Sequence, residues 1–538
     1  MDIVIQKGEI NMKNFKITLL NILITLVVAF ILFYLFLPSI NITNIGFWFY
    51  VIIILLVYGC LNSFKGILNI TKNAKAFFDI KKTIPFAISV IIILLIMIVG
   101  LVCSPFFMAG KYANRISIDS TVEFKDGVSK VDFNSLALLD KTSSQKLGDR
   151  VMGQMSELVS QFYVSDLYTQ INYNNDIVRV TPLEYSDMIK YFTNRSEGVK
   201  GYIMVNSVTG ESTLVKLDKG MKYVESALFF ENVERYLRFK YPFDNFGDVT
   251  FEIDNEGNPY WIMPVIKYSG INQRADVKSV ITLNAVTGET TKYDVSDVPT
   301  WIDHVYSASL IISQVNDWGS FSNGFFNTLF GQKGMTMTTD GYNYLAMNDD
   351  VYLYTGITSI VSDESNLGFI LTNLRTKKTN FYACPGAEEY SAMDSAKGQV
   401  QQMNYTASFP LLINLEGRPT YLISLKDAAG LVKMYAFVDV SDYQKVVVTD
   451  SSLGVEYAAQ NYLTNVGLES DTKKEITIKT IKDVNIEGTT YYYLTDINDK
   501  KYRVSIKINI NKLPFLNVGD TVTVSYTEKE ISEILSLE

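Results

Sequence analysis

Ile203-Met204-Val205-Asn206-Ser207-Val208-Thr209-Gly210-Glu211 is an apolar run that ends in a polar cluster, and it recurs seventy-eight residues later as Ile281-Thr282-Leu283-Asn284-Ala285-Val286-Thr287-Gly288-Glu289. Asparagine and threonine side chains bond their own backbone and glycine supplies positive φ, so each copy predicts a strand closing in a tight turn. A weaker third copy, Ile370-Leu371-Thr372-Asn373-Leu374-Arg375-Thr376-Lys377, keeps the asparagine and threonine but loses the glycine and glutamate. A second echo pairs Glu256-Gly257-Asn258-Pro259-Tyr260 with Glu416-Gly417-Arg418-Pro419-Thr420-Tyr421. Each lies between alternating apolar runs and reads as a hairpin tip. Leu147, Val151, Met155, Leu158 and Phe162 recur at helical spacing, as do Ala227, Phe230, Val233 and Leu237. Glu231/Arg235 and Glu234/Arg238, four apart, predict a solvated helix face, with a binding surface as the alternative. The order helix, strand, EGxP turn, strand, NxxTG(E) describes one α+β module, used repeatedly.

At these residues the chain resembles the PepSY family, small modules in which a helix packs on a few antiparallel strands and a strand ends in N-x-x-T-G-E. The resemblance covers residues 141–295 closely and 335–450 loosely. It implies an envelope protein or propeptide-like body that binds or restrains a partner.

Upstream, Ile17 to Leu37, Gly46 to Phe64 and Pro85 to Gly110 carry no charge until the last ends, and Ile91-Ile92-Ile93-Leu94-Leu95-Ile96 has no polar face. About 20 apolar residues cover a ~30 Å hydrocarbon core, so three transmembrane helices are expected at 17–37, 46–64 and 85–110. Tyr34, Trp48 and Tyr50 lie near span ends, where amphipathic rings favour the interface. Pro38-Ser39-Ile40-Asn41-Ile42 offers no small-residue cleavage pattern, so the first span reads as a retained anchor. Lys7, Lys13 and Lys16 precede it; Pro38 to Ile45 has no lysine or arginine; Lys65, Lys72, Lys75, Lys81 and Lys82 follow the second span. Basic loops stay in the cytoplasm, which predicts an inside N-terminus and a large C-terminal body outside. Lys111 and Arg115 oppose this orientation without outweighing it.

After Gly467 a polar hinge, Glu469-Ser470-Asp471-Thr472-Lys473-Lys474, leads into strand-like runs that include Tyr491-Tyr492-Tyr493-Leu494 and Gly519-Asp520-Thr521-Val522-Thr523-Val524. Five short strands in about 70 residues predict a small OB or SH3-like barrel. The fold class expected is therefore an α+β ectodomain of repeated helix-on-antiparallel-sheet modules, preceded by three transmembrane helices and followed by a small all-β barrel. Its parts are a cytoplasmic tail at 1–16, a membrane domain at 17–110, a juxtamembrane linker at 111–140 and two PepSY-like modules at 141–295. A connecting segment at 296–334, further α+β modules at 335–467 and the barrel at 468–538 complete it.

The 538 residues are 48% apolar and 20% charged, with net charge −9. No basic stripe stands ready for phosphates, which excludes nucleic acid as a partner. The abundance of lysine, asparagine and isoleucine points to an AT-rich bacterial genome. Cys60 and Cys103 fall in the spans, leaving Cys384 without an internal disulfide partner. One histidine, His304 beside Asp303, and scattered cysteines argue against a zinc-type metal site. A Cys384–His304 dyad is the conceivable nucleophile and base. Asp349-Asp350, Asp363-Glu364 and Glu388-Glu389 are the carboxylate pairs available for calcium or acid–base work, but neighbours on a strand point to opposite faces. Gly331-Gln332-Lys333-Gly334 lacks phosphate-loop spacing and reads as a turn. No catalytic, cofactor or metal residue is assigned. The expected function is a membrane-anchored cell-envelope protein, non-enzymatic, whose body binds or regulates an envelope protein or cell-wall polymer. The alternatives are an envelope hydrolase using Asp349, Asp350, Glu388 and Glu389, or a membrane subunit of a transport or secretion assembly.

Overall fold

The computed structural model describes residues 2–68, 80–347, 349–360, 362–466, 472–486, 489–526 and 531–537. Lys72 and Lys75 of the basic loop, Asn348 and the hinge residues Glu469-Ser470-Asp471 lie outside them. Helices α1 (Asp2–Phe36), α2 (Ile45–Leu68) and α3 (Ile80–Val102) contain the stretches Phe15–Phe36, Ile45–Ser63 and Thr83–Val102, with mean hydropathies of 2.7, 2.1 and 3.1. Leu23, Val27, Phe30, Ile91, Leu95 and Ile98 are exposed on them. Helices apolar around most of their circumference, with those faces uncovered by protein, are long enough to cross a bilayer. The third span stops short of the expected Gly110. Ser104 is extended and Pro105 opens a separate helix, α4 (Pro105–Ala113), because proline cannot donate the bond that would continue α3.

Beyond the membrane helices the chain is a mixed α/β body of antiparallel sheets. The segment expected as a linker, 111–140, is packed structure: β1 (Ile118–Asp119), α5 (Phe124–Gly127) and the turn to Leu136 put Phe124, Val128 and Leu136 into a core shared with residues beyond 340. Next come α6 (Lys141–Gly153), α7 (Ser156–Val159) and the first sheet. That sheet holds β2 (Phe162–Val164), β3 (Thr169–Tyr173), β4 (Asp176–Tyr185), β5 (Val199–Asn206) and β6 (Ser212–Met221), with α8 (Met188–Asn194) between β4 and β5. The helical spacing expected to reach Phe162 is broken between α6 and α7 and ends at Val159, and Phe162 itself is in β2.

Helix α9 (Val233–Lys240) leads into the second sheet of β7 (Asn245–Phe246), β8 (Thr250–Ile253), β9 (Pro259–Tyr268), β10 (Ala275–Asn284) and β11 (Thr290–Asp294). Helix α10 (Ala308–Phe321) leads into the third, β12 (Thr336–Thr338), β13 (Asn343–Met347), β14 (Asp350–Ser359), β15 (Ser362–Asn373) and β16 (Thr379–Ala387). Its apolar side, Ala308, Ile311 and Val315, packs between the second and third sheets, so residues read as a connector supply a core helix. Helix α11 (Glu389–Gly398) precedes the fourth sheet, β17 (Thr406–Ala407), β18 (Leu411–Leu415), β19 (Arg418–Lys426), β20 (Val432–Asp439) and β21 (Val446–Asp450). Helix α12 (Val455–Asn465) follows. The strands β22 (Thr472–Ile486), β23 (Thr489–Asp496), β24 (Lys501–Ser505), β25 (Thr521–Tyr526) and β26 (Ile531–Leu537) close on themselves in the order 22-23-24-26-25 around their own core.

In each of the four sheets, three consecutive strands run antiparallel and two short strands share the free side of the first of them; in the third sheet β1 adds a sixth strand, parallel to β16. The turn after the middle strand of the three is built alike. Asn206 Oδ1 accepts from the N–H groups of Val208 and Thr209 at 2.9 Å, and Asn284 Oδ1 from Val286 and Thr287 at 3.0 and 2.9 Å. Asn373 Oδ1 accepts from Arg375 and Thr376 at 3.0 and 2.8 Å. Asp439, at the corresponding place in the fourth sheet, accepts from Ser441 and Asp442 at 2.8 and 3.1 Å. An acceptor at this position satisfies two N–H groups that the sheet ladder leaves over. The first two sheets share a core around Trp261, Tyr202 and Phe251, and the third and fourth share another around Tyr354, Tyr421 and Phe437.

Gly210 and Gly288 adopt φ of +77° and +78°, and Lys377 takes the same place at +63°. A Cβ at Gly288 would lie 2.5 Å from the Tyr223 ring, whereas one at Gly210 meets nothing nearer than 3.5 Å. Left-handed backbone costs a non-glycine residue about 1 kcal/mol. Gly210→Ala is therefore expected to lower stability by about that amount, and Gly288→Ala by distinctly more because Tyr223 must also move. Denaturant titration of the two variants side by side checks the order; equal losses would contradict it.

Candidate functional site

The residues with chemical potential are distributed through the sheets, and their partners define what each does. Glu252 on β8 is fully buried and accepts from the N–H groups of Asp303 (2.8 Å) and His304 (3.2 Å) and from the Thr250 hydroxyl (3.0 Å). Asp303 accepts from the Asn172 N–H at 2.7 Å. His304 Nε2 lies 2.6 Å from the Gln170 carbonyl, which only accepts, so that nitrogen carries the proton. The ring stands edge-on to Tyr344, centroids 5.6 Å apart. Burial raises the carboxyl pKa values of both Glu252 and Asp303; the His304 charge pulls Glu252 partly back, and the Glu252 charge pushes Asp303 further up. The cluster ties the first, second and third sheets together at their common junction, with its proton already committed.

Cys384 is on β16, in contact with the core of the third and fourth sheets, and burial pushes its thiol up to about 11. Val305, next to His304, is bonded to Leu374 at the β15–β16 turn. Thr379 faces Thr372 at that turn, so Cys384 stands five residues, about 17 Å, along the strand from it. The structure does not bring Cys384 and His304 together. Asp349 is an exposed turn residue at φ +62°, while Asp350 is held by Arg375 at 2.7 Å and by Asn373 at 2.8 Å. Glu389 is fully buried, its Oε1 2.8 Å from where a Gly356 Cβ would stand, and burial raises its pKa. Gly356 is six residues, about 20 Å, along β14 from Asp350, beyond the ~5–10 Å that paired glycosidase carboxylates use. Glu388 is the N-cap residue of α11, and the side chains of Asp363 and Glu364 lie outside the described residues. Gln332 and Gly334 have φ of +48° and +64° in the turn that leads into β12. Among the described residues no group of three His, Cys, Asp or Glu side chains is placed to hold a metal ion.

The constellation that sequence reading missed lies where the body meets the membrane helices. The loop between the first two spans is held by the second sheet and the turn before it. The Ile40 N–H donates to the Pro242 carbonyl at 2.7 Å and the Asn41 amide to that of Phe243 at 2.9 Å. Asn245 donates to the Thr43 hydroxyl at 3.1 Å and accepts from Asn44 at 3.1 Å; the Asn272 N–H donates to the Thr43 carbonyl at 2.8 Å. The Arg235 guanidinium stacks 4.6 Å from the Tyr34 ring centre, and Phe33 packs edge-on to Phe239 at 5.2 Å. Arg115, just after α4, and Arg274 both ion-pair with Asp317 of α10, and Arg274 also covers the Tyr112 ring.

The pairs expected on a solvated α9 face are not formed. The helix starts at Val233 with Asn232 as its cap, so Glu231 lies outside it and pairs with Arg195 at 3.0 Å. Arg238 is buried and stacks 3.9 Å from the Phe246 ring centre. The signal available in the sequence was the aromatic run Phe229-Phe230 with Phe239, which a purely solvated helix would not carry.

No family model matches the chain, and no curated protein matches it. Among solved structures, a Trypanosoma rangeli sialidase in complex with 2-keto-3-deoxy-D-glycero-D-galacto-2,3-difluoro-nononic acid is similar over 70% of this chain and 53% of that one, at 10% identity and a TM-score of 0.17. A likeness at that level carries no argument.

Glu184, at the end of β4, is another buried carboxyl. It accepts from the Ser226 N–H at 2.9 Å and from the Ser226 hydroxyl, and burial nonetheless raises its pKa to about 7. The folded chain therefore binds this proton more tightly than the unfolded chain. The stability it contributes is complete below about pH 4.5 and is lost as pH rises through 7. A rise of that size is worth on the order of 3 kcal/mol. Unfolding of the detergent-solubilised chain, followed from pH 4.5 to 8, should show a smaller fall in Glu184→Gln than in the wild type. Parallel curves would contradict the assignment.

Proposed function

We propose that the chain is a multi-pass cell-envelope protein with a cytoplasmic N-terminus and an extracytoplasmic body of PepSY-like modules, closed by an OB or SH3-like barrel, that binds or regulates a partner. The partner class is an envelope protein or a cell-wall polymer, and the body acts without turning it over. The observation that carries this reading is the set of hydrogen bonds from Asn41, Thr43 and Asn44 to the second sheet. It supports a common side of the membrane for the loop and the body, as three crossings require. The lysines around the other loop then supply the side: basic segments remain cytoplasmic, so the body is outside. The shared strand order of the four sheets and their common Asn or Asp turn support a repeated module. Asp350 engaged by Arg375, and Glu389 on α11 enclosed beside Gly356, far along β14 from Asp350, favour binding over acid–base catalysis.

Lys200 is exposed on β5. In intact cells, Lys200→Cys is expected to react with a membrane-impermeant maleimide without lysis. Labelling that appears only after lysis would reverse the orientation. The purified full-length chain should retain an envelope protein or wall polymer saturably while leaving it intact. Turnover of wall material or peptide, abolished by Glu389→Gln, would replace the binding role with a hydrolytic one.

A further inference from the structure

A cavity of about 560 Å³ lies between the outer ends of α1 and α2 and the membrane-facing side of the second sheet. That is ample for a small ligand or a lipid headgroup. One wall is apolar and belongs to the spans. Phe36, Phe49 and Ile53 line it and are also exposed on the helices, so the cavity is continuous with the lipid-facing surface. The opposite wall belongs to the body and is charged.

Two of the cavity's lining residues are deeply buried and carry unused hydrogen-bonding atoms. Arg238 is 4% exposed and Ser39 3% exposed, yet among the described residues Arg238 Nε and Ser39 Oγ have no partner. Buried polar atoms are almost always bonded, and leaving one unmade costs as much as losing the bond. The Arg238 head is fixed, because Nη1 donates to the Asp244 carbonyl at 2.5 Å and the guanidinium rests on Phe246. Burial lowers its pKa only to about 10, so it stays cationic at neutral pH, and among the described residues it makes no ion pair. Glu225 and Glu234 line the same cavity and are exposed.

We propose that this cavity holds the headgroup of a zwitterionic membrane lipid, its phosphate on Arg238 and Ser39 and its ammonium on Glu225 and Glu234. A purely anionic headgroup would satisfy Arg238 but bring its charge toward two carboxylates. An apolar chain alone would leave Arg238 Nε and Ser39 Oγ unbonded. A lipid carrying both charges matches the polar wall, and its acyl chains lie along Phe36, Phe49 and Ile53. The assignment of that lipid to the outer leaflet rests on the outward placement of the body proposed above.

The test uses the full-length protein in nanodiscs of equal phosphatidylethanolamine and phosphatidylglycerol, with retained lipid counted by native mass spectrometry after release. The wild type is expected to retain phosphatidylethanolamine selectively. Arg238→Gln should weaken that retention roughly tenfold, the value of a hydrogen bond to a charged group, and Ser39→Ala should weaken it to a lesser extent. The double variant Glu225→Gln/Glu234→Gln should shift selectivity toward phosphatidylglycerol. Equal retention of the two lipids by the wild type overturns the proposal, as does retention unchanged in Arg238→Gln and Ser39→Ala. If Arg238→Gln fails to fold, the Glu225→Gln/Glu234→Gln variant, altered only on exposed side chains, decides. Lipid retention by purified protein does not depend on which way the body faces in the cell. A reversed maleimide result therefore moves the lipid to the other leaflet and leaves the cavity assignment to be judged on the nanodisc data alone.

Discussion

The short polar loop Ser39 to Asn44 is the constraint on which the arrangement depends. It has no room to wander, because two membrane helices emerge from it, and its Ile40 N–H, its asparagine amides and Thr43 are all bonded to the second sheet and its flanking turns. On the other flank, Arg115 and Arg274 converge on Asp317 and join α4 to α10. Those two attachments hold the second sheet over the spans, and the remaining sheets are positioned from it. The first shares its core, and the third is joined through α10. A body held at two points across a wide base resists rocking far better than one hung from a single linker.

The buried acids serve this assembly. Glu252 caps the backbone of Asp303 and His304, and thereby fixes the crossover from the second sheet toward α10. Glu184 holds Ser226 where the chain leaves the first sheet for α9. In both cases a carboxyl receives N–H groups that lie outside any strand ladder, which is where irregular backbone needs an acceptor. Their raised pKa values follow from enclosure and do not indicate an accessible acid.

Much of the local structure was legible in the sequence. Asn206, Asn284 and Asn373 announce their turns because an asparagine followed by threonine and a positive-φ residue has few other uses, and the apolar runs before α4 announce membrane length. The fourth turn, at Asp439, was hidden because aspartate replaces asparagine and no glycine follows. Segment 111–140 read as a linker because its apolar residues are spaced irregularly and meet partners almost three hundred positions away; Lys130 bridges to Asn414. The membrane-facing contacts were illegible for a related reason. Arg235 and Arg238 have the spacing of a solvated face, and only the rings brought against them, Tyr34 from the first span and Phe246 from β7, show that they are covered.

The route of segment 111–140 has a consequence for how the chain matures. Asp140 is paired with Lys426, Lys146 with the carbonyl of Ala429, and Ile118 with Thr379, so the earliest stretch of the body finds its neighbours only after well over half of it has been made. Contacts so remote in sequence slow folding and prolong the interval in which strand edges stand bare. A chain emerging N-terminus first cannot complete its pieces one by one. The newborn polypeptide must be kept from aggregating until those partners arrive, and a truncation before the third sheet would leave β1 and α5 with nothing to close against.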